Sequence, residues 1–128
     1  MLSDEFNDYI SKNLEQLNFK IPETKEYIKG IFREQLYYKN DLSGKILTFK
    51  YFEAKQKYNF ENFRKIGDWL FWTKSIYPEF LSNASEDFYD NLAKTSYHKC
   101  YILLNKEWEL YEELADRFEY FVNHICLE

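Results

Sequence analysis

The sequence predicts an all-α fold: a single-domain bundle of five or six helices over residues 1–128, with a buried central helix near residues 60–77. Three observations predict it. Apolar residues recur at helical spacing in four segments. Three Gly and two Pro in 128 residues leave little material for turns, so long segments joined by short loops are expected. The stretch FENFRKIGDWLFWTKSIYP, Phe60 to Pro78, is apolar on more than one helical face, which is the mark of a helix buried in the middle of a domain.

Taken in order, Ser3 caps a first helix, with Asp4 and Glu5 in its first turn and Phe6, Ile10, Leu14 and Leu17 on its buried face. Phe19-Lys20-Ile21-Pro22 interrupts the pattern. Thr24 is read as the cap of a second helix, whose stripe is Ile28, Ile31, Phe32 and Leu36. Gln35 falls on the same stripe and needs a partner if buried. Asp41-Leu42-Ser43-Gly44 is the clearest loop.

ILTFKYF at 46–52 is rich in β-formers and admits a strand. A lone strand has nothing to pair with, and Leu47, Tyr51, Ala54 and Tyr58 follow an i, i+4 ladder, so helix is favoured. Asn59 then caps the central helix. Phe60, Phe63, Gly67, Leu70 and Phe71 form one of its stripes, and Ile66, Trp69, Thr73 and Ile76 another. Pro78 stops it near Tyr77.

Residues 81–85 read as a loop ending in a cap. Tyr89, Leu92, Ala93, Ser96, Tyr97, Cys100, Leu103 and Leu104 make the next stripe, whose small residues admit a close neighbour. After Asn105, Trp108, Tyr111, Leu114, Ala115, Phe118, Val122 and Ile125 make a last regular stripe, with a Glu-rich solvent face opposite.

Composition narrows the function classes. Twelve Tyr, 12 Phe and 3 Trp make a core of rings, with some rings in excess. Trp69, Trp72, Tyr77 and Phe80 are the candidates for a protein interface. The net charge of −5 argues against a nucleic-acid partner. Residues 45–65 carry six basic groups against two acidic ones, and residues 105–119 the reverse, which reads as solvated helix faces. Cys100 and Cys126 form no disulfide framework and suit a reducing cytoplasm. The acidic N-terminus is not a signal peptide, and no stretch approaches the about 18 apolar residues of a membrane span.

Catalytic and metal-binding motifs are missing: no HExxH, no CxxC pair, no GxxxxGK[ST] and no GxGxxG. No cofactor is expected. His98 falls on the polar side of its helix and cannot pair with Cys100 two residues on. What stands out is Gly67-Asp68, two poor helix formers inside an apolar helix. A buried Asp68 needs compensation, from Arg64 one turn earlier, from the Tyr97 hydroxyl, or from backbone N–H groups. It is either a clasp that fixes helix register or a carboxylate in an aromatic pocket, with Tyr97 and His98 near, that holds a small polar ligand.

The run IGDWLFW…YPEF followed by DFYDNLAKTSY resembles an uncharacterised family of small bacterial helical proteins with a GDxxLFxxxxxPE…SY pattern. Gly67, Asp68, Leu70, Phe71, Pro78, Glu79, Tyr89, Lys94, Ser96 and Tyr97 match, within residues 60–100. Where the family often has Gly, this chain has Ile76. The resemblance implies an all-helical fold, points to Asp68, Glu79, Ser96 and Tyr97, and brings no known activity. The function expected from the sequence is a non-enzymatic protein–protein interaction or regulatory module, self-associating as a homodimer or joined to another protein. The alternative is a small polar ligand-binding protein or enzyme using Asp68 and Tyr97.

Overall fold

The computed structural model describes residues 4–37, 53, 59–76, 78–81 and 86–125. These form six α-helices and a 3-10 turn, with no strand among the described residues. The helices are α1 (Asp4–Glu15), α2 (Pro22–Tyr37), α3 (Phe60–Ile76), α4 (Glu86–Leu103), α5 (Glu109–Asp116) and α6 (Phe118–His124); the turn is Pro78–Leu81. The expected cap Ser3, the loop at 41–44, the strand-or-helix segment 46–52 and Cys126 lie outside the described residues.

Helix α3 is the centre of the bundle, as its pattern predicts. It packs against α2, α4, α6 and the 3-10 turn. Nine of its residues are buried, from Phe63 to Ser75. It ends at Ile76, two residues before Pro78. Phe71 shows how the rings of the core interlock. It meets Phe32 of α2 at 6.3 Å and Phe118 of α6 at 5.8 Å, both edge to face. Such pairs add about 0.5–1.5 kcal/mol each beyond the area they bury. On the α4 side, Ala93 and Ser96 are fully buried, and their small size lets α3 and α4 approach closely.

Asn105 ends α4 as expected, in the left-handed region with φ 57°. The Lys106 N–H reaches the Tyr101 carbonyl at 2.9 Å, and the Asn105 N–H reaches that of Ile102 at 3.0 Å. This is a Schellman closure, with Asn in place of the usual Gly.

Four expectations are corrected. Helix α2 begins at Pro22 rather than after Thr24. Proline suits the first helical position, because its fixed φ is helical and its missing N–H needs no partner there. Thr24 is instead fully buried in the first turn. The last stripe is not one helix, since it breaks at Arg117 (φ −118°, ψ 22°) between α5 and α6. Trp108 precedes α5 and is 54% exposed instead of buried.

Glu113, expected on the solvent face, is 3% exposed. Its carboxylate accepts the backbone N–H groups of Lys20 at 2.6 Å and Ile21 at 3.4 Å. It also pairs with Arg117 Nη1 at 3.0 Å. The same Nη1 donates to the Asn18 carbonyl at 2.6 Å, and the guanidinium lies 4.5 Å from the Tyr120 ring centre. The break at Arg117 thus belongs to an ionic lock that ties α5 to the α1–α2 turn.

Candidate functional site

The Asp68 carboxylate sits in the middle of α3 and is 3% exposed. Three helices supply its donors. Tyr97 of α4 donates its hydroxyl to Oδ1 at 2.9 Å. Tyr27 of α2 lies 2.9 Å from both Oδ1 and Oδ2, so its single O–H is shared between them. Arg64, one turn earlier on α3, donates from Nη1 to Oδ2 at 3.2 Å. Its Nη2 is held by Glu61 Oε2 at 2.9 Å. Tyr111 of α5 closes the cluster, its ring edge-on to Tyr27 at 5.4 Å.

Burial pushes the Asp68 carboxyl up to about 7, against the opposing pull of Tyr97, Tyr27 and Arg64. Removal from water therefore outweighs three donors. The Tyr97 and Tyr27 hydroxyls are pushed up by burial and by the nearby Asp68 charge, so both stay protonated. Tyr111 rises to about 12, chiefly through burial. Burial disfavours the Arg64 charge, but Glu61 and Asp68 more than restore it. The result is a carboxyl poised to gain or lose a proton near neutrality, amid groups that keep theirs.

A pocket of about 380 Å³ lies between α2 and α3 beside this cluster. Tyr27, Gly30, Ile31, Arg33 and Glu34 line it from α2, and Arg64 and Asp68 from α3. Gly30 is in the interior of α2, where Gly costs about 1 kcal/mol relative to Ala. Among the described residues, nothing outside its own helix backbone lies within 4 Å of the position its Cβ would take. Close packing therefore does not require this glycine, and its effect is to leave room in the pocket.

Of the residues singled out from the sequence, Arg64, Gly67, Asp68 and Tyr97 come together. An added Cβ at Gly67 would meet the Tyr97 ring at 2.8 Å. Ser96 is fully buried, and among the described residues its hydroxyl has no hydrogen-bond partner. Glu79 is exposed in the 3-10 turn, apart from the Asp68 cluster. His98 is exposed, with its ring 6.4 Å from Tyr101. Trp69 is 7% exposed within this one chain, and Trp72 is half-buried against the core. Tyr77 and the side chain of Phe80 lie outside the described residues.

Sequence reasoning missed Tyr27, Tyr111 and the pocket residues of α2. One signal was available. A buried carboxylate has about four acceptor sites and a single arginine cannot fill them, so a further donor from another helix was required. No group of three His, Cys, Asp or Glu side chains among the described residues could hold a metal ion. No helix among them is long and apolar enough to cross a membrane.

No family model, no curated protein and no solved structure matches the chain.

Proposed function

We propose that the protein binds a small polar ligand in the pocket between α2 and α3, with Asp68, Arg64 and Tyr27 as its polar wall. The observation that carries this reading is Gly30, a helix-interior glycine that no packing contact among the described residues requires, facing a cavity beside a buried carboxyl. A volume of about 380 Å³ falls in the size range of small-molecule sites. Cys100, a free and buried thiol, suits a reducing cytoplasm as the place of action.

The test fills the pocket. Gly30→Leu has room for its side chain and improves the helix propensity of α2. Native mass spectrometry of gently purified wild-type protein should show a small-molecule adduct that Gly30→Leu lacks, while the variant melts no lower than wild type. A wild type with no adduct, or an adduct equally abundant in Gly30→Leu, would remove the pocket from consideration.

A second reading, a self-associating interaction module, is favoured by two exposed side chains. Trp108 is 54% exposed and Ile102 43%, and they flank the turn between α4 and α5. Exposed apolar groups of this size are candidate contact surfaces. Sedimentation at tens of micromolar should then show a dimer that Trp108→Ser dissociates. A monomeric wild type would end this reading.

A further inference from the structure

We infer that the pocket takes a small organic acid as its carboxylate, on Arg33 and Arg64, and that Asp68 takes up a proton from solvent as the ligand enters. The inference rests on the ligand-binding reading above and adds a ligand class and a coupling.

The charges that line the pocket are Arg33 and Arg64 against Glu34 and Asp68. Arg64 is also held by Glu61. A ligand carboxylate at Arg64 must therefore compete with two carboxylates already present. Glu34 and Glu61 are open to water, and Arg64 holds the Glu61 carboxyl below its usual range. Asp68 is shut away from water, and among the described residues its charge is supported by Tyr27, Tyr97 and Arg64. Of the carboxyls around the pocket it is the buried one, and burial raises its hold on a proton.

A proton on Asp68 changes the site in two ways. It releases Arg64 Nη1 from the 3.2 Å contact with Oδ2, so that the guanidinium can turn to the incoming anion. It also leaves the lining with two positive groups against Glu34 alone, an excess that suits a monoanion. The other groups around Asp68 do not compete for this role. Tyr97 and Cys100 of α4, Tyr27 of α2 and Tyr111 of α5 are all held neutral by burial. The rest of the lining is Ile31, the Gly30 backbone and the Tyr27 ring, which fit an apolar body on the acid.

The probes are phenylacetate, phenylacetamide and inorganic phosphate, titrated calorimetrically into the wild type in buffers of different ionisation heat. Phenylacetate should bind, and the amide roughly tenfold or more weakly. Above about pH 7, phenylacetate affinity should fall roughly tenfold per pH unit, with uptake of close to one proton. Asp68→Asn should abolish the proton uptake and flatten the pH dependence, and Arg64→Gln should abolish binding. If Asp68→Asn fails to fold, the wild-type slope and proton count decide alone.

Amide binding as tight as the acid overturns the carboxylate assignment. Affinity independent of pH, or no proton uptake, overturns the coupling. Phosphate binding in preference to phenylacetate overturns the organic-acid class. Absence of binding by all three probes overturns the whole inference. The adduct experiment with Gly30→Leu tests the pocket itself, separately from these outcomes.

Discussion

A Cβ added to Gly67 would stand 2.8 Å from Cε1 of Tyr97 and 2.9 Å from Cζ, so the ring of α4 fills the space left by the glycine of α3. The same tyrosine then reaches Asp68, the next residue along α3, with its hydroxyl. Gly67 therefore sets where the Tyr97 ring lies, and through it where the Asp68 donor lies.

Gly67→Ala is expected to destabilise the protein even though alanine is the better helix former. The propensity gain is about 1 kcal/mol, and overpacking a closed contact costs about 1–3 kcal/mol. The side chain that must yield is a fully buried Tyr held by its hydroxyl to Asp68, so the loss should win. Urea denaturation of Gly67→Ala, Tyr97→Leu and the double variant checks it. The double variant should be more stable than the sum of the two losses implies, and strict additivity would show that the two residues do not share this space.

Gly30 should respond in the opposite direction. With nothing among the described residues within 4 Å of the added Cβ, Gly30→Ala should keep the propensity gain of about 1 kcal/mol without a clash. A melting temperature that rises for Gly30→Ala and falls for Gly67→Ala separates the two helix-interior glycines. A fall in both would mean that α2 packs more tightly at Gly30 than its surroundings indicate.

The residues that the sequence revealed and those it hid divide along a physical line. The burial of α3, its stop before Pro78 and the Asn105 closure of α4 follow from periodicity and local backbone chemistry, which act within a few residues. Arg64 beside Asp68 is an i, i+4 relation and is equally local. Tyr27 meets Asp68 across 41 positions and Glu113 meets Lys20 across 93, and no local pattern encodes either. Amphipathic spacing put every Glu of residues 105–119 on the solvent face, because it weighs hydrophobicity and is blind to a buried carboxylate that finds donors. The break at Arg117 carries no Gly or Pro to announce it; it depends on where Glu113 and the Asn18 carbonyl lie.

Glu113 is another of the buried carboxylates, beside Asp68 and Asp90, and its role is to hold the α1–α2 turn on α5. Glu113→Ala leaves the Lys20 and Ile21 N–H groups without their acceptor and the Arg117 guanidinium without its carboxylate, though with the Asn18 carbonyl still in place. Arg117 is about one-quarter exposed, so water can take over part of its solvation. The expected loss is therefore about 1–3 kcal/mol, as for an unsatisfied buried donor, rather than the larger cost of a stranded buried charge. Glu113→Gln, which still offers one acceptor oxygen, should lose less. Chemical denaturation checks both, and an unchanged midpoint for Glu113→Ala would show that the lock adds no stability.

The stability of the protein should carry the titration of Asp68. Its carboxyl titrates near 7 in the folded chain, against 3.8 for the unperturbed group. Below about pH 4 both the folded and unfolded states hold the proton, and the full contribution is present. Between about pH 4 and about pH 7 the unfolded chain releases the proton while the folded one keeps it, so stability falls as pH rises. Above about pH 7 both states have released it and the contribution is gone, a total of roughly 4 kcal/mol at most. Asp68→Asn removes this slope. At about pH 5 the comparison is with a neutral carboxyl, and the amide should destabilise, because its NH₂ group faces Arg64 and leaves the two Tyr hydroxyls one carbonyl to share. At about pH 8 the wild type bears the cost of a buried charge that the variant does not, so the gap between the two melting curves should close or reverse. Melts of both proteins across this range decide it, since a difference that stays constant with pH would mean that Asp68 remains ionised throughout and that the three-helix cluster compensates its charge in full.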